Sequence, residues 1–473
     1  MRKLRLAVSA AAFAAAFGLT SAARADLDAV SAAMGAGKIE QVQFTGTGYQ
    51  FGIGQAYRPG LPWPKMNLTK FTRTDDYAKG ASSYDWTINR ADTLGGTATP
   101  QRGDLRRAGG VAGDKAWAIN YPASDPVQAA AVPLQHDLWT SPHGIVKAAI
   151  EDKAKMDGSS FTIERAGKFK ARATVDAQNM VTKVESWIDN PVLGDMLVVT
   201  TYSDYKDFGG VKFPGRILQS MGGQPVLELT TADVKVNAGG VEAPAQIGSV
   251  PNEVKVEKAA DGVWFIGGGS HNSAAVEMSD YIVLIEAPLG DGRTNAVIKA
   301  VKETIPNKPI RYVVATHHHF DHVGGLRAAA AEGATIVIPA ISKAYFEQAY
   351  ATPHSLNPDS LAKSGKQAKF ETYGDKHVIT DGKRTIEIYP IDNNIHAEGF
   401  SMIYLPQEKI LLEADAFSPR APAPITQTPA FVNPSTKSLW DNVQARKLEV
   451  ETILPMHGRI AKVSELKAEA GAQ

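Results

Sequence analysis

The sequence predicts two domains of different class: a mainly antiparallel β domain, followed by an α/β domain in which sheets and helices form layers. At 473 residues the chain is too long for a single hydrophobic core. Its first half contains short runs of alternating apolar and polar residues, and its second half alternates strand-like with helix-like runs. Hydrophobic content of 44% and charged content of 21% are those of an ordinary globular protein.

The first 25 residues have the pattern of a secretory signal peptide. Residues 1–5 are basic, residues 6–20 are apolar and uncharged, and Ala23-Arg24-Ala25 fits a small-residue cleavage site. The apolar stretch is shorter than the ~20 residues that cross a bilayer as a helix. We therefore expect residues 1–25 to be removed and the protein to be exported, either to the periplasm or out of the cell.

The charge balance and the absence of cysteine narrow the possible functions. Four of the 50 basic residues lie in the leader, which leaves 46 basic against 50 acidic residues and no electrostatic footprint for nucleic acid. No later segment is apolar enough to predict a transmembrane helix. The chain has no cysteine, so thiolate metal ligands, cysteine nucleophiles and disulfides are all excluded.

Residues 26–250 form the predicted β domain. Its apolar and polar residues alternate between Gly, Asp and Asn breaks, which is typical of an antiparallel sheet with one buried face. A helical stretch around residues 129–156 interrupts the pattern. The clearest strand-like runs are 41–45, 116–120, 160–164, 183–188, 196–201 and 226–230.

One part of this region resembles the periplasmic lipoprotein carriers. The resemblance rests on the strand-turn-strand pattern from Tyr202 to Pro214 and on the next strand, which ends at Asn237. In that family a curved antiparallel sheet holds a lipid chain against a helix, so the resemblance implies an apolar ligand. The alternative is a β-rich domain that only packs on its neighbour.

Residues 251–473 form the predicted α/β domain, after a Gly/Pro/Ser-containing linker at 238–252. Strand-like runs alternate with helix-like runs here, which indicates a layered α/β architecture. We expect helices at 294–305 and from about 324 to 332. The expected strands are 263–266, 281–285, 310–315, 335–338, 385–391, 401–405, 409–413 and 452–454.

A cluster of metal-ligand residue types follows the strand at 310–315. Residues 316–322 read Thr-His-His-His-Phe-Asp-His, and such a density of imidazole and carboxylate is hard to explain by packing alone. Since the strand ends at this turn, the ligands lie where α/β sheets place their sites. Three further candidates, His396, Asp415 and His457, also follow strands.

The order His-x-His-x-Asp-His, then His, Asp and His, each after a strand, resembles the metallo-β-lactamase superfamily. The resemblance covers about residues 254–463 and implies a four-layer αββα fold with two metal ions. By the family pattern, one ion would be held by His317, His319 and His396. The second would be held by Asp321, His322 and His457, with Asp415 bridging both ions.

The donor types indicate which metal to expect. Imidazole and carboxylate without thiolate suit Zn²⁺, with Fe or Mn possible. A histidine at 319, where the diiron oxygen-reducing relatives commonly place Glu, favours two zinc ions per chain. Asp415 at the bridging position resembles hydroxyacylglutathione hydrolases, lactonases and phosphodiesterases more than the lactamases that use cysteine there.

These features predict an exported dinuclear zinc hydrolase that acts on a small molecule. A hydroxide bridging the two metals would attack the substrate, and Asp321 would orient the hydroxide and carry its proton to the leaving group. The expected substrate is an ester, lactone, thioester or amide, with an apolar portion if the carrier resemblance holds.

Three alternatives stay open. A phosphodiesterase or a β-lactamase could use the same residues. A binding protein for lipid or another apolar ligand could carry the second domain as a structural metal site, although seven candidate ligands exceed the four of a closed structural cage. Oligomeric state is not predicted.

Several residues near the motif have weaker signals. We expect His318 to point away from the metals. His271 could border the pocket, but a surface loop is the expected position. Glu286 fits either a supporting residue or a simple turn. The long insertions at 341–383 and 417–434 are expected to wall an apolar pocket above the metals.

Overall fold

The computed structural model describes residues 26–472 except 92–93, 97–102, 122, 124, 166 and 250–252. The expected signal peptide lies outside the described residues, as does part of the expected linker. Within the described part of the chain, no helix is long and apolar enough to cross a bilayer.

The N-terminal part is dominated by one antiparallel sheet of 12 strands, in the order β6-β5-β4-β3-β2-β1-β14-β13-β10-β9-β8-β7. A short hairpin, β11-β12, lies beside it. The strands are β1 (Gln41–Phe51), β2 (Lys65–Asp76), β3 (Ala81–Arg90), β4 (Leu105–Ala112), β5 (Lys115–Asn120), β6 (Val127–Gln128), β7 (Ser160–Arg165), β8 (Phe169–Val175), β9 (Val181–Asn190), β10 (Gly194–Ser203), β11 (Lys206–Asp207), β12 (Lys212–Phe213), β13 (Arg216–Met221) and β14 (Gln224–Val236).

Three helices cover one face of this sheet: α1 (Leu27–Met34), α2 (Ala131–Trp139) and α3 (Pro142–Glu151). The helical stretch expected at 129–156 is thus two helices. They separate at Ser141, whose side chain accepts a hydrogen bond from Gly144 N, and Pro142 begins α3 because its missing N–H is not needed there. Between the sheet and α2 and α3 lies a cavity of about 220 Å³ with largely apolar walls.

The C-terminal part contains two sheets. One has seven strands in chain order, and β18 to β21 run parallel. The other has six strands in chain order, of which β25 and β26 run parallel. The strands are β15 (Lys255–Ala260), β16 (Val263–Gly267), β17 (Ser273–Glu277), β18 (Ile282–Ile285), β19 (Ile310–Val314), β20 (Thr335–Pro339), β21 (Lys369–Tyr373), β22 (His377–Thr380), β23 (Thr385–Pro390), β24 (Ser401–Leu405), β25 (Ile410–Glu413), β26 (Thr452–Pro455) and β27 (Ala461–Lys462).

The two sheets share a continuous apolar core, and helices pack on their outer faces. Val283 of the first sheet and Leu412 of the second are both fully buried in that shared core. The helices are α4 (Asp291–Thr304), α5 (Phe320–Val323), α6 (Leu326–Glu332), α7 (Lys343–Ala351), α8 (Ser360–Ser364), α9 (Pro434–Ala445) and α10 (Val463–Glu469). This order of helix, sheet, sheet and helix confirms the predicted fold class, an α/β domain preceded by a mainly antiparallel β region.

The insertion at 341–383 was expected to wall the pocket above the predicted metal ligands, but the described lining of that cavity includes none of its residues. A separate cavity beside Phe320 is instead lined by Tyr345, Gln348, Ala349 and Thr352. The insertion contains α7, α8 and β21, and β21 pairs with β20 as the edge strand of the seven-stranded sheet. Its aromatic residues Phe346 and Phe370 pack in the core under that sheet. The aromatic residues of this segment are part of the hydrophobic core, and this could not be predicted because the sequence indicates a loop here.

One of the contacts between the N-terminal and C-terminal parts is made by the connection between β1 and β2, residues 52–64, which we call the β1–β2 loop. Gly54 has a φ of +73°, and a Cβ added there would lie 2.3 Å from the Phe320 ring. Glycine is needed because the backbone conformation is left-handed and because the ring leaves no room for a side chain.

Replacing Gly54 with alanine should therefore destabilise the protein. We expect the clash to cost about 1–3 kcal/mol, in addition to the cost of the positive φ. Thermal unfolding of the Gly54→Ala and Gly113→Ala proteins measures this, because Gly113 also has a positive φ (+62°) but no atom of the described residues lies within 4 Å of a Cβ added there. Equal midpoints for the two variants would contradict the close packing.

Candidate metal centre

The seven predicted ligand residues come together at one end of the two C-terminal sheets. Residues 317–322 follow β19, His396 lies between β23 and β24, Asp415 follows β25, and His457 follows β26. The last residues of β19, β25 and β26 are buried, so these strand ends fix where the loops that carry the predicted ligands begin. This is the edge at which α/β sheets place functional groups.

The first group of side chains comprises His317, His319, His396 and Asp415, whose inward atoms lie within 4.8 Å of one another. His317 Nε2 is 2.9 Å from His319 Nδ1 and 3.3 Å from His396 Nε2. Asp415 Oδ2 is 3.3 Å from His317 Nε2 and 2.9 Å from His396 Nε2. A tetrahedral ion with bonds of 2.0–2.1 Å would separate its ligands by about 3.3 Å, so this donor set is compatible with a metal ion.

The second group comprises His271, His322 and His457. His322 Nε2 lies 3.4 Å from His457 Nε2, and the Asp415 carboxylate reaches both, with Oδ2 3.0 Å from His322 and Oδ1 2.8 Å from His457. Asp321 borders this group: its Oδ2 is 3.3 Å from His271 Nε2 and 3.9 Å from His322 Nε2. Asp415 therefore lies between the two groups.

His271 is not on the surface, contrary to the sequence-based expectation. It is buried, and its ring centre lies 4.3 Å from that of His457. The neighbouring Asn272 side chain donates to the carbonyls of Pro455 and Gly458, which ties the two loops together. The sequence did not indicate this contact, because His271 is a lone histidine in a Gly-rich loop.

Hydrogen-bond acceptors around the two groups orient several of these imidazoles through the ring nitrogen that points away from the centre. His457 Nδ1 donates to Ser270 O, and His322 Nδ1 donates to Glu286 Oε2 at 2.8 Å. His319 Nε2 donates to Ala56 O at 2.9 Å. Each such bond places the proton on the outward nitrogen and leaves the inward nitrogen free to bind a metal.

Glu286 is a supporting residue and not merely a turn residue. It is fully buried, with a φ of +63°, and its second carboxylate oxygen accepts from Thr316 N at 2.6 Å. Glu286 thus joins the end of β18 to the start of the His-rich turn and to His322. A left-handed backbone at a residue that is not glycine indicates local strain, which the surrounding contacts maintain.

Charge is distributed unevenly in the centre. Burial and neighbouring imidazoles lower the pKa of His317 and of His319 well below the ordinary value, so both are neutral, the form that binds metal. Burial alone would also lower the pKa of His322, but Asp415, Asp321 and Glu286 together raise it well above the ordinary value. The carboxylates that favour a proton on His322 would equally favour a bound cation.

His318 lies outside both groups, as expected. It is buried, its Nε2 donates to Ala56 O at 2.8 Å, and burial lowers its pKa to about 3. It therefore supports the turn as a neutral residue.

The cavity at the centre has a volume of about 650 Å³ and largely polar walls. The cavity is lined by Asp321, Asp415, His271, His396 and His457. Ser418, Arg420 and Asn433 contribute from the segment 417–434. That segment reaches the cavity as expected, but the walls there are polar and not apolar. Gln55 of the β1–β2 loop also lines the cavity, which sequence reasoning missed.

Comparison with known proteins agrees with this geometry. Residues 266–457 match the family model of the metallo-beta-lactamase superfamily. Residues 266–457 are a metallo-β-lactamase superfamily domain. This match confirms the resemblance drawn from the order of the predicted ligands. The resemblance of the N-terminal part to lipoprotein carriers stays a prediction.

Individual relatives are distant. The 2,4-dinitroanisole O-demethylase subunit alpha of Nocardioides sp. (strain JS1661) is 24% identical over 158 residues, which are 32% of this chain and 43% of that protein. The match thus spans less than half of that relative. The metallo-beta-lactamase from Pontibacter korlensis is 21% identical, with a TM-score of 0.35 over 46% of this chain and 98% of that one. The metallo-beta-lactamase FIM-1 from Pseudomonas aeruginosa in its mono-zinc form is 22% identical, with a TM-score of 0.35 over 46% and 93%.

Replacing Glu286 with glutamine should weaken metal binding. The carboxylate accepts two hydrogen bonds, from Thr316 N and His322 Nδ1, and an amide would turn an N–H₂ group towards one of those donors. We expect the affinity for zinc to fall about 10–100-fold, as is usual for residues that orient a ligand. Competition with a chromophoric chelator measures the change.

Glu277→Gln is the matched control, since Glu277 ends the neighbouring strand β17 and pairs with Lys308 outside the centre. If Glu286→Gln bound zinc as tightly as the control, Glu286 would have no role in orienting His322.

Proposed function

We propose that this chain is an exported hydrolase that uses two zinc ions to cleave an ester, lactone, thioester or amide. The observation that carries the proposal is the position of Asp415, whose two carboxylate oxygens lie within 3.3 Å of inward nitrogens from both histidine groups. A carboxylate so placed suits a bridge between two cations better than a closed structural site.

The donor set supports zinc. The groups offer imidazole and carboxylate atoms without any thiolate, since the chain lacks cysteine. His317, His319 and His396 would hold one ion, His322, His457 and Asp321 the other, with Asp415 shared and His271 beside the second. Fe or Mn would also accept these donors. Bound zinc supplies Lewis-acid polarisation of the substrate and lowers the pKa of water to near neutrality.

Asp321 is the proposed catalytic residue. Burial would raise its pKa, but His322 and a hydrogen bond from His271 lower it below the ordinary value, so the group is an anion and can accept a hydrogen bond from water. Its side chain is 34% exposed and lines the cavity, so it can reach both the attacking water and the leaving group. We propose that it orients the water and passes the proton to the departing atom.

An apolar portion of the substrate is supported by features outside the metal centre. Residues 52–64 border a second cavity, of about 450 Å³, with Trp63 and Phe320 in its walls. The mainly apolar cavity of about 220 Å³ lies between the N-terminal sheet and helices α2 and α3. Export is proposed from the leader sequence alone.

Phosphodiester hydrolysis is the second candidate. Among the described residues that line the metal cavity, Arg420 is the one Lys or Arg side chain, and it is exposed at the mouth. A guanidinium there would suit the negative charge of a phosphodiester. Binding of an apolar ligand without catalysis is less well supported, because the centre opens to a large polar cavity.

The panel that tests the proposal contains esters, lactones, thioesters, β-lactams and bis-aryl phosphates, given to the zinc-loaded protein. We expect turnover of at least one carboxylic ester, lactone or thioester. His317→Ala and Asp321→Ala should reduce turnover to the buffer rate, since the first removes a metal ligand and the second the proposed proton carrier.

His377→Ala is the control that should retain wild-type rates, because His377 pairs with Glu371 away from the centre. Turnover that persisted in His317→Ala would rule out the proposed mechanism. Turnover of phosphodiesters alone would select the second candidate.

A further inference from the structure

The β1–β2 loop lies directly on the His-rich turn. Phe320 N donates to Gly54 O at 3.3 Å, and the Trp63 ring meets the Phe320 ring edge-on at 6.0 Å. Gly54 and Phe320 are so close that no side chain fits between them. The backbone of the turn that carries most of the predicted ligands is therefore held by a segment some 260 residues earlier in the chain.

One carbonyl of this loop fixes the orientation of a predicted ligand. Ala56 O accepts hydrogen bonds from both His318 Nε2 and His319 Nε2, which uses both of its lone pairs. Because His319 carries its proton on Nε2, its Nδ1 is unprotonated and lies 2.9 Å from His317 Nε2. The N-terminal loop thereby selects the tautomer of His319 that can bind metal.

A side chain of the same loop holds the proposed catalytic carboxylate. Gln55 Nε2 donates to Asp321 Oδ1 at 2.7 Å, and Asp321 Oδ2 is left directed towards His271 and His322. Gln55 is 8% exposed. A Cβ added at Gly96 would lie 2.4 Å from Gln55 Cβ, so the Gln55 side chain is packed in place.

The contact extends to the loop that carries His396. Gly95 N donates to Ile395 O and Gly96 N to His396 O, at 2.8 and 3.1 Å. Glu398 N donates to Tyr57 O at 2.6 Å. The N-terminal region therefore restrains ligand-bearing segments on two sides of the cavity.

We propose that the β1–β2 loop belongs to the metal centre and orients its residues, with Gln55 as the residue that positions Asp321. The Ala56 carbonyl acts in the same way on His319, so the metallo-β-lactamase domain without the N-terminal sheet would hold an incompletely oriented site. This inference rests on the proposed two-metal function and assigns the N-terminal region a role in it.

The test replaces Gln55 with methionine, which has a similar length and shape but no N–H donor. Co²⁺ titration of the metal-free full chain, followed by visible absorption, reports the two binding steps separately. We expect the affinity of one step to fall about 10–100-fold while the other stays near that of the wild type. On the active substrate, kcat should fall by a similar factor with little change in KM.

Gln43→Met is the matched control. Gln43 lies on β1, its side-chain amide donates to Thr74 Oγ1 at 3.2 Å, and it is remote from the centre. The control removes the same kind of hydrogen bond from the same region, so it should bind both equivalents of Co²⁺ as the wild type does. The thermal midpoint of metal-free Gln55→Met should also match that of the control.

Wild-type Co²⁺ affinity for both equivalents in Gln55→Met would overturn the inference. So would a thermal midpoint lowered with no change in metal affinity, since that is the result of a purely structural contact. If Gln55→Met does not fold, Gln55→Ala gives the same readout with a smaller side chain. Failure of the proposed function is a separate result, seen when the wild-type chain itself binds fewer than two equivalents or hydrolyses nothing in the panel.

Discussion

The Asp415 carboxylate is the interaction on which the rest of the centre depends. Four imidazoles lie within 3.3 Å of its two oxygens, and they come from three different loops. Burial would raise the pKa of Asp415, but His322 and His396 lower it well below the ordinary value, so the group is an anion. A buried anion is costly unless cations or donors surround it, and here the surroundings are histidines that a pair of metal ions could join. The six-stranded sheet supports this arrangement, because its parallel strands β25 and β26 end at the same edge and place Asp415 and His457 next to each other.

The N-terminal part contributes to the same centre through the β1–β2 loop, and Gly95 and Gly96 add hydrogen bonds to the loop that carries His396. The carbonyl groups of Gly54 and Ala56 accept hydrogen bonds from the His-rich turn, and the Gln55 side chain reaches Asp321 in the metal cavity. Glycine at 54 permits this approach, since a Cβ there would overlap the Phe320 ring. In the proposed centre, both the metallo-β-lactamase domain and the N-terminal part would orient the predicted ligands.

Much of the fold and the centre could be predicted because the relevant signals are local. The buried strand before residue 316, the spacing of the histidines and the strands before Asp415 and His457 are all visible within a few residues of each ligand. Gln55 and His271 could not be found this way. Gln55 meets Asp321 across 266 positions, and no pattern around it indicates a site. His271 depends on Asn272 bonding to a loop 183 positions away. The aromatic residues of 341–383 suggested a pocket wall, but aromatic side chains are equally common in a hydrophobic core. Phe346 and Phe370 lie in the core because β21 pairs with β20.

The central claim is that Asp415 bridges two metal ions. Anomalous X-ray diffraction at the zinc edge, from crystals of the zinc-loaded full chain, tests it most directly. The account predicts two peaks per chain, ~3.5–4 Å apart, one beside His317, His319 and His396 and the other beside His322 and His457, with an Asp415 oxygen next to each. A single peak, or two peaks of which one lies away from Asp415, would contradict it.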